Sequence, residues 1–189
     1  AGALTRQWSY TYDAYGQVLT VNGPRTDVAD VTTMTYYPAN DACVGCRGQL
    51  WTVTNAAGHV TTFDSYTADG RPTQITDANG AMTTLAYTAR GWLASRTQAG
   101  EATAYEYDAL DRTVRAVHAD GTVVAHSYDA LGDLLATQDA NGTVIQHQHD
   151  LAGRLTRRDV TPGQGVANDT TFETFAYDGA GRLVSAAND

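Results

Sequence analysis

The stretch HSYDALGDLL at residues 126–135 contains the pattern that decides the fold. A tyrosine is followed by an aspartate, and a glycine comes three residues after the aspartate. The same arrangement recurs as YTYDAYGQVL at 10–19 and FAYDGAGRLV at 175–184 and, with histidine in place of tyrosine, as HQHDLAGRLT at 147–156. A single active site needs its acid and base only once. A sequence pattern that recurs along the whole chain therefore indicates a structural repeat rather than a catalytic pair.

The glycine of this pattern recurs with a nearly constant period. Its position falls at residues 16, 48, 70, 91, 111, 132, 153 and 181, with Asp111 in place of glycine. From 48 to 153 the successive spacings are 22, 21, 20, 21 and 21 residues. A fixed period of this length is typical of a repeat architecture. We therefore predict one repeat segment over residues 1–189, with insertions near 23–45 and 160–172 and units that start near 12, 44, 66, 87, 107, 128, 149 and 177.

Each unit contains two turns and therefore two connecting segments of six or seven residues. Segments such as AMTTLAY at 81–87 and TVVAHSY at 122–128 are rich in Thr, Val, Leu and Tyr and are bounded by turn residues. They are too short for helices and are predicted to be β-strands. The predicted fold class is all-β, with repeated antiparallel β-hairpins of about 21 residues. Open sheets rarely exceed about ten strands without curling, so we expect a curved, spiralling sheet, either a partial shell or a solenoid.

The aspartate and the glycine fit a type I turn that is followed by a left-handed residue. Aspartate is favoured at the first position of the turn because its carboxylate accepts backbone N–H groups. Glycine is favoured at the last position because a positive φ costs it little. Aspartate also tolerates that conformation, which accounts for Asp111. The tyrosine is then expected to pair across the hairpin with the second residue after the glycine. The residues predicted to fill these turn and pairing roles are Tyr12, Asp13, Gly16, Tyr107, Asp108, Arg112, Tyr128, Asp129, Gly132, Asp150, Gly153, Arg154, Tyr177, Asp178, Gly181 and Arg182.

Cys43 and Cys46 form the only cysteine pair. A C-x-x-C motif is compatible with a redox pair, half of a zinc site or a small disulfide. Zinc needs four ligands and the chain has no second C-x-x-C, and a thioredoxin-like motif needs a strand-to-helix turn that is not predicted here. We favour a structural disulfide of an exported protein. In that interpretation Gly45 to Gly48 take the place of the Asp-x-x-Gly turn in the second unit.

Charge and composition argue against several functional classes. A net charge of −9 opposes nucleic-acid binding, which needs clustered cations. All 12 basic residues are arginine, so neither a Schiff-base lysine nor a P-loop lysine is available. The sequence has no run of 18 apolar residues that would predict a membrane span. It also lacks G-x-S-x-G and H-E-x-x-H motifs. We therefore expect no enzymatic activity, no metal and no cofactor.

Two sets of side chains offer alternative chemistry. The histidines could share one sheet face and approach a metal, but strand spacing leaves the third too distant for a common ion. The tryptophans could stack on sugars, although packing within the sheet is the simpler role. These sets are His126, His147 and His149, and Trp8, Trp51 and Trp92.

The repeated pattern resembles the RHS/YD-repeat family over nearly the whole chain, from about residue 10. Bacterial members build a long spiralling β-sheet that closes into a hollow shell around a C-terminal toxin or effector, and teneurin-like animal members use a similar shell at the cell surface. The resemblance therefore implies an exported, non-enzymatic wall whose partners are neighbouring repeats and an enclosed C-terminal cargo domain. It rests on Tyr107-Asp108…Arg112, Tyr128-Asp129…Gly132-Asp133-Leu134, His149-Asp150…Gly153-Arg154-Leu155, Tyr177-Asp178…Gly181-Arg182-Leu183 and the intervening DANG turns.

One feature of the bacterial family is missing from the sequence. Its self-cleavage motif contains Asp-Pro, a dipeptide that does not occur here. Since the chain also starts without methionine, we expect a segment of shell wall from a longer or processed protein. Such a segment would have free strand edges, which invite edge-to-edge self-association. The alternative function is a cell-surface adhesion or glycan-binding module built on the same repeats.

Overall fold

The computed structural model describes residues 6–25, 27–28, 30–167 and 169–189. These residues form 16 strands that follow one another in chain order, and the helical element among them is a single 3₁₀ turn at Val44–Cys46. The all-β class and its hairpin repeat are thereby confirmed. No helix in the described ranges is long and apolar enough to cross a membrane.

The chain divides into two compact units, and the strand β8 (Leu93–Gln98) contributes residues to both. The first unit runs up to Trp92 and includes Arg96–Gly100. Its first seven strands pair antiparallel, each with the next in sequence. They are β1 (Ser9–Tyr12), β2 (Val18–Asn22), β3 (Val31–Tyr36), β4 (Leu50–Thr54), β5 (Val60–Tyr66), β6 (Pro72–Thr76) and β7 (Met82–Tyr87).

The second unit comprises Leu93–Ser95 and Glu101–Asp189. Its last eight strands pair in the same way, each antiparallel to its neighbour in sequence. They are β9 (Glu101–Tyr107), β10 (Thr113–Val117), β11 (Val123–Tyr128), β12 (Leu134–Gln138), β13 (Val144–His149), β14 (Leu155–Thr161), β15 (Phe172–Tyr177) and β16 (Leu183–Asn188).

Two kinds of turn alternate along the strands of both compact units. We call the Tyr-Asp-x-x-Gly turns the tyrosine turns and the others the second turns. At the tyrosine turns the register shifts by one residue, so that Tyr128 lies opposite Leu134 while the preceding Ser127 lies opposite Ala136. The extra residue, Leu135, forms a β-bulge. The bulge explains why apolar residues stand at both odd and even positions after the turn.

Half-buried and exposed side chains alternate along some strands, most regularly in β3 and β7. In β7 the alternate residues Thr83, Leu85 and Tyr87 are half-buried, whereas the residues between them are exposed or nearly so. Among the described residues only Cys46 is fully buried. Stability must therefore come from cross-strand and same-face contacts rather than from a closed hydrophobic core.

The tyrosine turn that follows Tyr36, counted second along the chain, is larger than the other tyrosine turns. Tyr37 takes the position of the aspartate, because its N–H donates to the carbonyl of Gln49 and its own carbonyl accepts the N–H of Gly48. Asp13 makes the same two bonds in the first turn. Residues 38–47 are inserted where the other turns have two residues. The prediction that Gly45 occupies the aspartate position is therefore wrong.

The inserted loop is closed by a disulfide and packs against the next repeat. Cys43 and Cys46 are bonded, with their sulfur atoms 2.02 Å apart. Gly45 lies so close to the carbonyl of Thr67 that a Cβ there would stand 2.2 Å from the oxygen. The absence of a side chain at Gly45 thus permits the loop to contact the third tyrosine turn.

We expect the double substitution Cys43→Ser and Cys46→Ser to have a local effect. Repeat proteins are stabilised by nearest-neighbour contacts, so amide exchange should accelerate in residues 38–47 and around Thr67. Exchange in β10–β16 should not change. Hydrogen exchange measured by mass spectrometry checks this, with the reduced wild-type protein as the control. Loss of protection in the second unit would contradict a local structural role for the disulfide.

Candidate functional site: the junction between repeats

Each aspartate of a tyrosine turn accepts hydrogen bonds from the backbone of that turn. Asp150 Oδ1 accepts the N–H groups of Ala152 and Arg154 at 2.9 and 3.1 Å. Such bonds satisfy amides that have no strand partner within the turn. The equivalent bonds are made by Asp13, Asp108, Asp129 and Asp178.

An arginine directly after the turn glycine, or after Asp111 in its place, links one repeat to the next. Arg112 Nε donates to Asp108 Oδ2 at 2.7 Å, and its guanidinium lies 4.2 Å from the ring centre of Tyr128. Arg154 likewise bonds Asp150 at 2.7 Å and lies 5.0 Å from the ring centre of Tyr177. An ion pair within one turn is thus combined with a cation–π contact to the following repeat.

Four of the turn carboxylates have lowered pKa values, those of Asp108, Asp129, Asp150 and Asp178. The amide of Arg112, followed by its guanidinium, lowers the pKa of Asp108, and the guanidinium of Arg154 is the main cause at Asp150. At Asp129, where Asp133 replaces the arginine of other turns, the amide of Asp133 also lowers the pKa of the carboxylate. These groups stay ionised near neutral pH, which suits a hydrogen-bond acceptor and not a general acid.

The tyrosines provide a second link between repeats. Tyr66 donates its hydroxyl hydrogen to the carbonyl of Leu50 in the preceding repeat, at 2.5 Å. Leu50 is the second residue after a turn glycine, and four further tyrosines bond the carbonyl at this same position. The other donor and acceptor pairs are Tyr36 with Val18, Tyr87 with Pro72, Tyr107 with Leu93 and Tyr177 with Leu155, at 2.8–2.9 Å.

The hydroxyl is needed where the strand ladder between hairpins ends. Successive hairpins pair through three residues next to the second turn, as between β4 and β5, where the pairs run from Thr52 with Thr62 to Thr54 with Val60. The pairing stops before the tyrosine turn is reached. The tyrosine hydroxyl then supplies a donor to a carbonyl beyond the end of the ladder.

The sequence pattern predicted the pairing of these tyrosines but not the role of their hydroxyl groups. One signal for it does exist. Eight strands lead into a tyrosine turn, and seven end in tyrosine and one in His149, whereas phenylalanine occurs at other strand positions. A purely apolar cross-strand contact would accept phenylalanine equally well, so the recurrence of tyrosine indicates a hydroxyl with a partner.

The structure places the histidines and the tryptophans as follows. The rings of His147 and His149 are stacked with centroids 6.5 Å apart, but no group of three potential ligands within the described ranges could hold a metal ion. Trp51 packs against Tyr37 with centroids 5.4 Å apart. Trp8 and Trp92 are partly exposed.

The hairpin period and the junctions define a β-hairpin repeat protein. The family model described as RHS Repeat matches residues 47–82, 66–100, 87–123 and 128–167, which is more than half of the chain. The chain belongs to the RHS repeat family. No curated protein sequence matches it.

Solved structures share the fold at low sequence identity. TcdB2-TccC3 without its hypervariable C-terminal region has a TM-score of 0.75 at 16% identity and covers 96% of this chain. The Photorhabdus luminescens Tc holotoxin pore has a TM-score of 0.73 at 17% identity and covers 97%. The match takes up 10% of each of those chains, so this chain spans about a tenth of their length.

We expect Tyr66→Phe to destabilise the first unit by about 0.5–1.5 kcal/mol, because it removes one hydrogen bond and keeps the ring. The urea midpoint measured near neutral pH checks this. Tyr12→Phe is the matched control, since Tyr12 holds the same repeat position and is 57% exposed. Equal midpoints for the two variants would contradict the junction role.

The same variant should reveal a dependence on alkaline pH. Burial raises the pKa of Tyr66 to about 12, above the value of about 10 for an unfolded chain. The stability that Tyr66 contributes is then fully present below about pH 10 and is lost as the pH rises toward 12. The difference in the free energy of unfolding between wild type and Tyr66→Phe should therefore become smaller between about pH 10 and pH 12. A gap that widened would be the opposite of the expected linkage.

Asp133→Arg should raise stability by a few tenths of a kcal/mol at low salt, as expected for a partly exposed pair. Asp133 stands where three other turns carry an arginine that bonds the turn aspartate. The substitution would give Asp129 the same partner. Asp133→Asn is the control because it removes the charge without adding a cation. If the arginine variant melts below the asparagine variant, the register assigned to this turn is not the one that governs its stability.

Proposed function

We propose that the chain is a non-enzymatic stretch of wall in an RHS/YD-repeat shell that encloses a toxin or effector cargo. The observation that carries this proposal is the use made of the repeated polar residues. Aspartates close turns, arginines bridge turns and tyrosine hydroxyls bond the preceding repeat. Catalysis needs polar groups that converge on one reacting atom, whereas these groups are distributed at regular intervals to hold strands side by side.

The partners follow from the same architecture. Repeats that precede and follow this chain are proposed to continue its junctions, so that residues 1–189 are one part of a longer array. The enclosed partner is a cargo domain C-terminal to the repeats, and the whole is exported. The structural similarity to Tc toxin proteins supports this, as does the tendency of wide, one-layered sheets to curl.

The outer edges of β1 and β16 are proposed to pair with further repeats. β1 stands at one end of the strand order and β16 at the other, and strand edges are templates for β-pairing. The isolated chain is therefore proposed to self-associate edge to edge. Pairing of this kind would use the same backbone groups that join repeats within a longer wall.

Enclosure is tested by limited proteolysis of a full-length RHS protein that contains these repeats and a cargo domain. Cargo in the intact protein should be digested much more slowly than the same cargo domain alone. Ile75→Pro should abolish that protection, because Ile75 pairs with strands on both sides and proline removes a ladder donor.

Ala78→Pro is the matched control. Ala78 is the second residue of the Asp77 turn, where proline is favoured, so protection should persist. If cargo is digested equally fast inside and outside the shell, the enclosure function is wrong. A surface-binding role, for adhesion or glycans through exposed aromatic residues such as Trp51, would then replace it.

A further inference from the structure

The guanidinium groups of two turns occupy one recurring position. Each is held by the carboxylate of its own tyrosine turn and by the ring of the next repeat's tyrosine. For Arg112 these partners are Asp108 and Tyr128, and Arg154 has the equivalent pair. The repeat itself thus shows which chemical group fits between a turn aspartate and the following tyrosine.

The first tyrosine turn keeps this position but lacks the arginine. Asp13 and Tyr36 correspond to Asp108 and Tyr128, while Gln17 stands where Arg112 stands in the later repeat. The Gln17 amide turns away to donate to the carbonyl of Gly48 at 2.7 Å. Asp13 Oδ1 accepts two backbone amides, and Oδ2 has no partner within the described residues. One carboxylate oxygen therefore remains available.

A cleft of about 480 Å³ lies at this point. Its lining includes Asp13, Gln17 and Tyr36 from the two repeats, with Pro38 of the enlarged loop on one side. Tyr15 projects from the first turn and is 88% exposed, which is unusual for so large a ring. The cleft thus offers aromatic faces together with oxygen acceptors.

The polar groups of the cleft favour a donor with positive charge. The hydroxyl of Tyr36 is committed to the carbonyl of Val18, and the Gln17 amide is committed to Gly48. The groups that can still contact a ligand include the carboxylate oxygen Asp13 Oδ2 and the tyrosine rings. A planar guanidinium matches both at once, through charge-assisted hydrogen bonds and stacking. The net charge of −9 also attracts a cation.

We propose that this cleft is a binding site for an arginine side chain of a partner polypeptide. The incoming guanidinium would bond Asp13 Oδ2 and lie over the ring of Tyr36, in the position that Arg112 occupies in a later repeat. Tyr15 would form the outer wall of the site. The partner would reach the cleft from solvent, beside the disulfide loop.

The remaining turns without an arginine at this position lack one part of the site. Tyr37 and Thr88 replace the aspartate in the second and fourth tyrosine turns. The Asp129 turn places a second carboxylate, Asp133, after its glycine and is followed by His149 in place of a tyrosine. The first turn is thus the one whose carboxylate and tyrosine are both present without their arginine.

Titration of the isotope-labelled chain with N-acetyl-arginine amide, followed by amide chemical shifts, tests the proposal. Shifts should concentrate at Asp13 to Gln17 and at Tyr36. N-acetyl-citrulline amide has the same shape without the charge and should bind at least about tenfold more weakly. N-acetyl-lysine amide should also bind more weakly, because an ammonium cannot form the planar fork.

Gln17→Arg is the decisive variant, because it supplies the guanidinium from the chain itself. It should abolish binding of the arginine probe while the fold is retained. Asp13→Asn should weaken binding at least about tenfold. The turn itself should persist, because Asn55 makes the same backbone hydrogen bonds in one of the second turns. Asp150→Asn is the matched control and should bind like wild type.

Tyr15→Ala removes an exposed ring and leaves the fold intact, so it keeps the test independent of stability. It should weaken binding without altering shifts elsewhere. Binding of citrulline or lysine as tight as that of arginine would overturn the guanidinium assignment. Undiminished binding to Gln17→Arg would overturn the location of the site.

Discussion

The hydrogen bond from a tyrosine hydroxyl to a carbonyl of the preceding repeat is the interaction on which the assembly of hairpins depends. A bulged hairpin displaces its strand next to the tyrosine turn, and the ladder to the following hairpin ends after three residue pairs. Without another donor, the backbone carbonyl that accepts this bond at five junctions would lack its partner. The tyrosine ring spans the interval and its hydroxyl completes the bonding, as Tyr66 does toward Leu50.

The other repeated residues serve the same junction. Because the described residues of neither unit form a closed core, each contact between neighbours is a sizeable part of what holds them together. Aspartate fixes the turn so that the tyrosine emerges at a constant position. Arginine then covers the next tyrosine ring and shields part of its surface, as Arg112 does over Tyr128. Turn, ring and cation are combined in this way at Arg112 and again at Arg154.

Much of this could be predicted from sequence because turn chemistry is local. The Asp-x-x-Gly spacing specifies a turn whatever surrounds it, and the constant period carries that information along the chain. The hydroxyl bonds could not be read in this way, because Tyr66 and Leu50 are 16 residues apart and meet only after both hairpins have formed. The enlarged turn was misassigned for a related reason. Gly48 has the expected conformation, but counting back three residues leads to Gly45, whereas the backbone closes on Tyr37.

That enlarged turn has a consequence for how such proteins change over evolutionary time. Ten residues are accommodated between Tyr37 and Gly48, yet Tyr36 still lies opposite Leu50, as the equivalent residues do in the unexpanded hairpins. The additional sequence is therefore accommodated within the turn, and the register of its hairpin is kept. Tyrosine turns are accordingly tolerant points at which lineages can acquire new surface loops, and at which foreign peptides could be grafted for display.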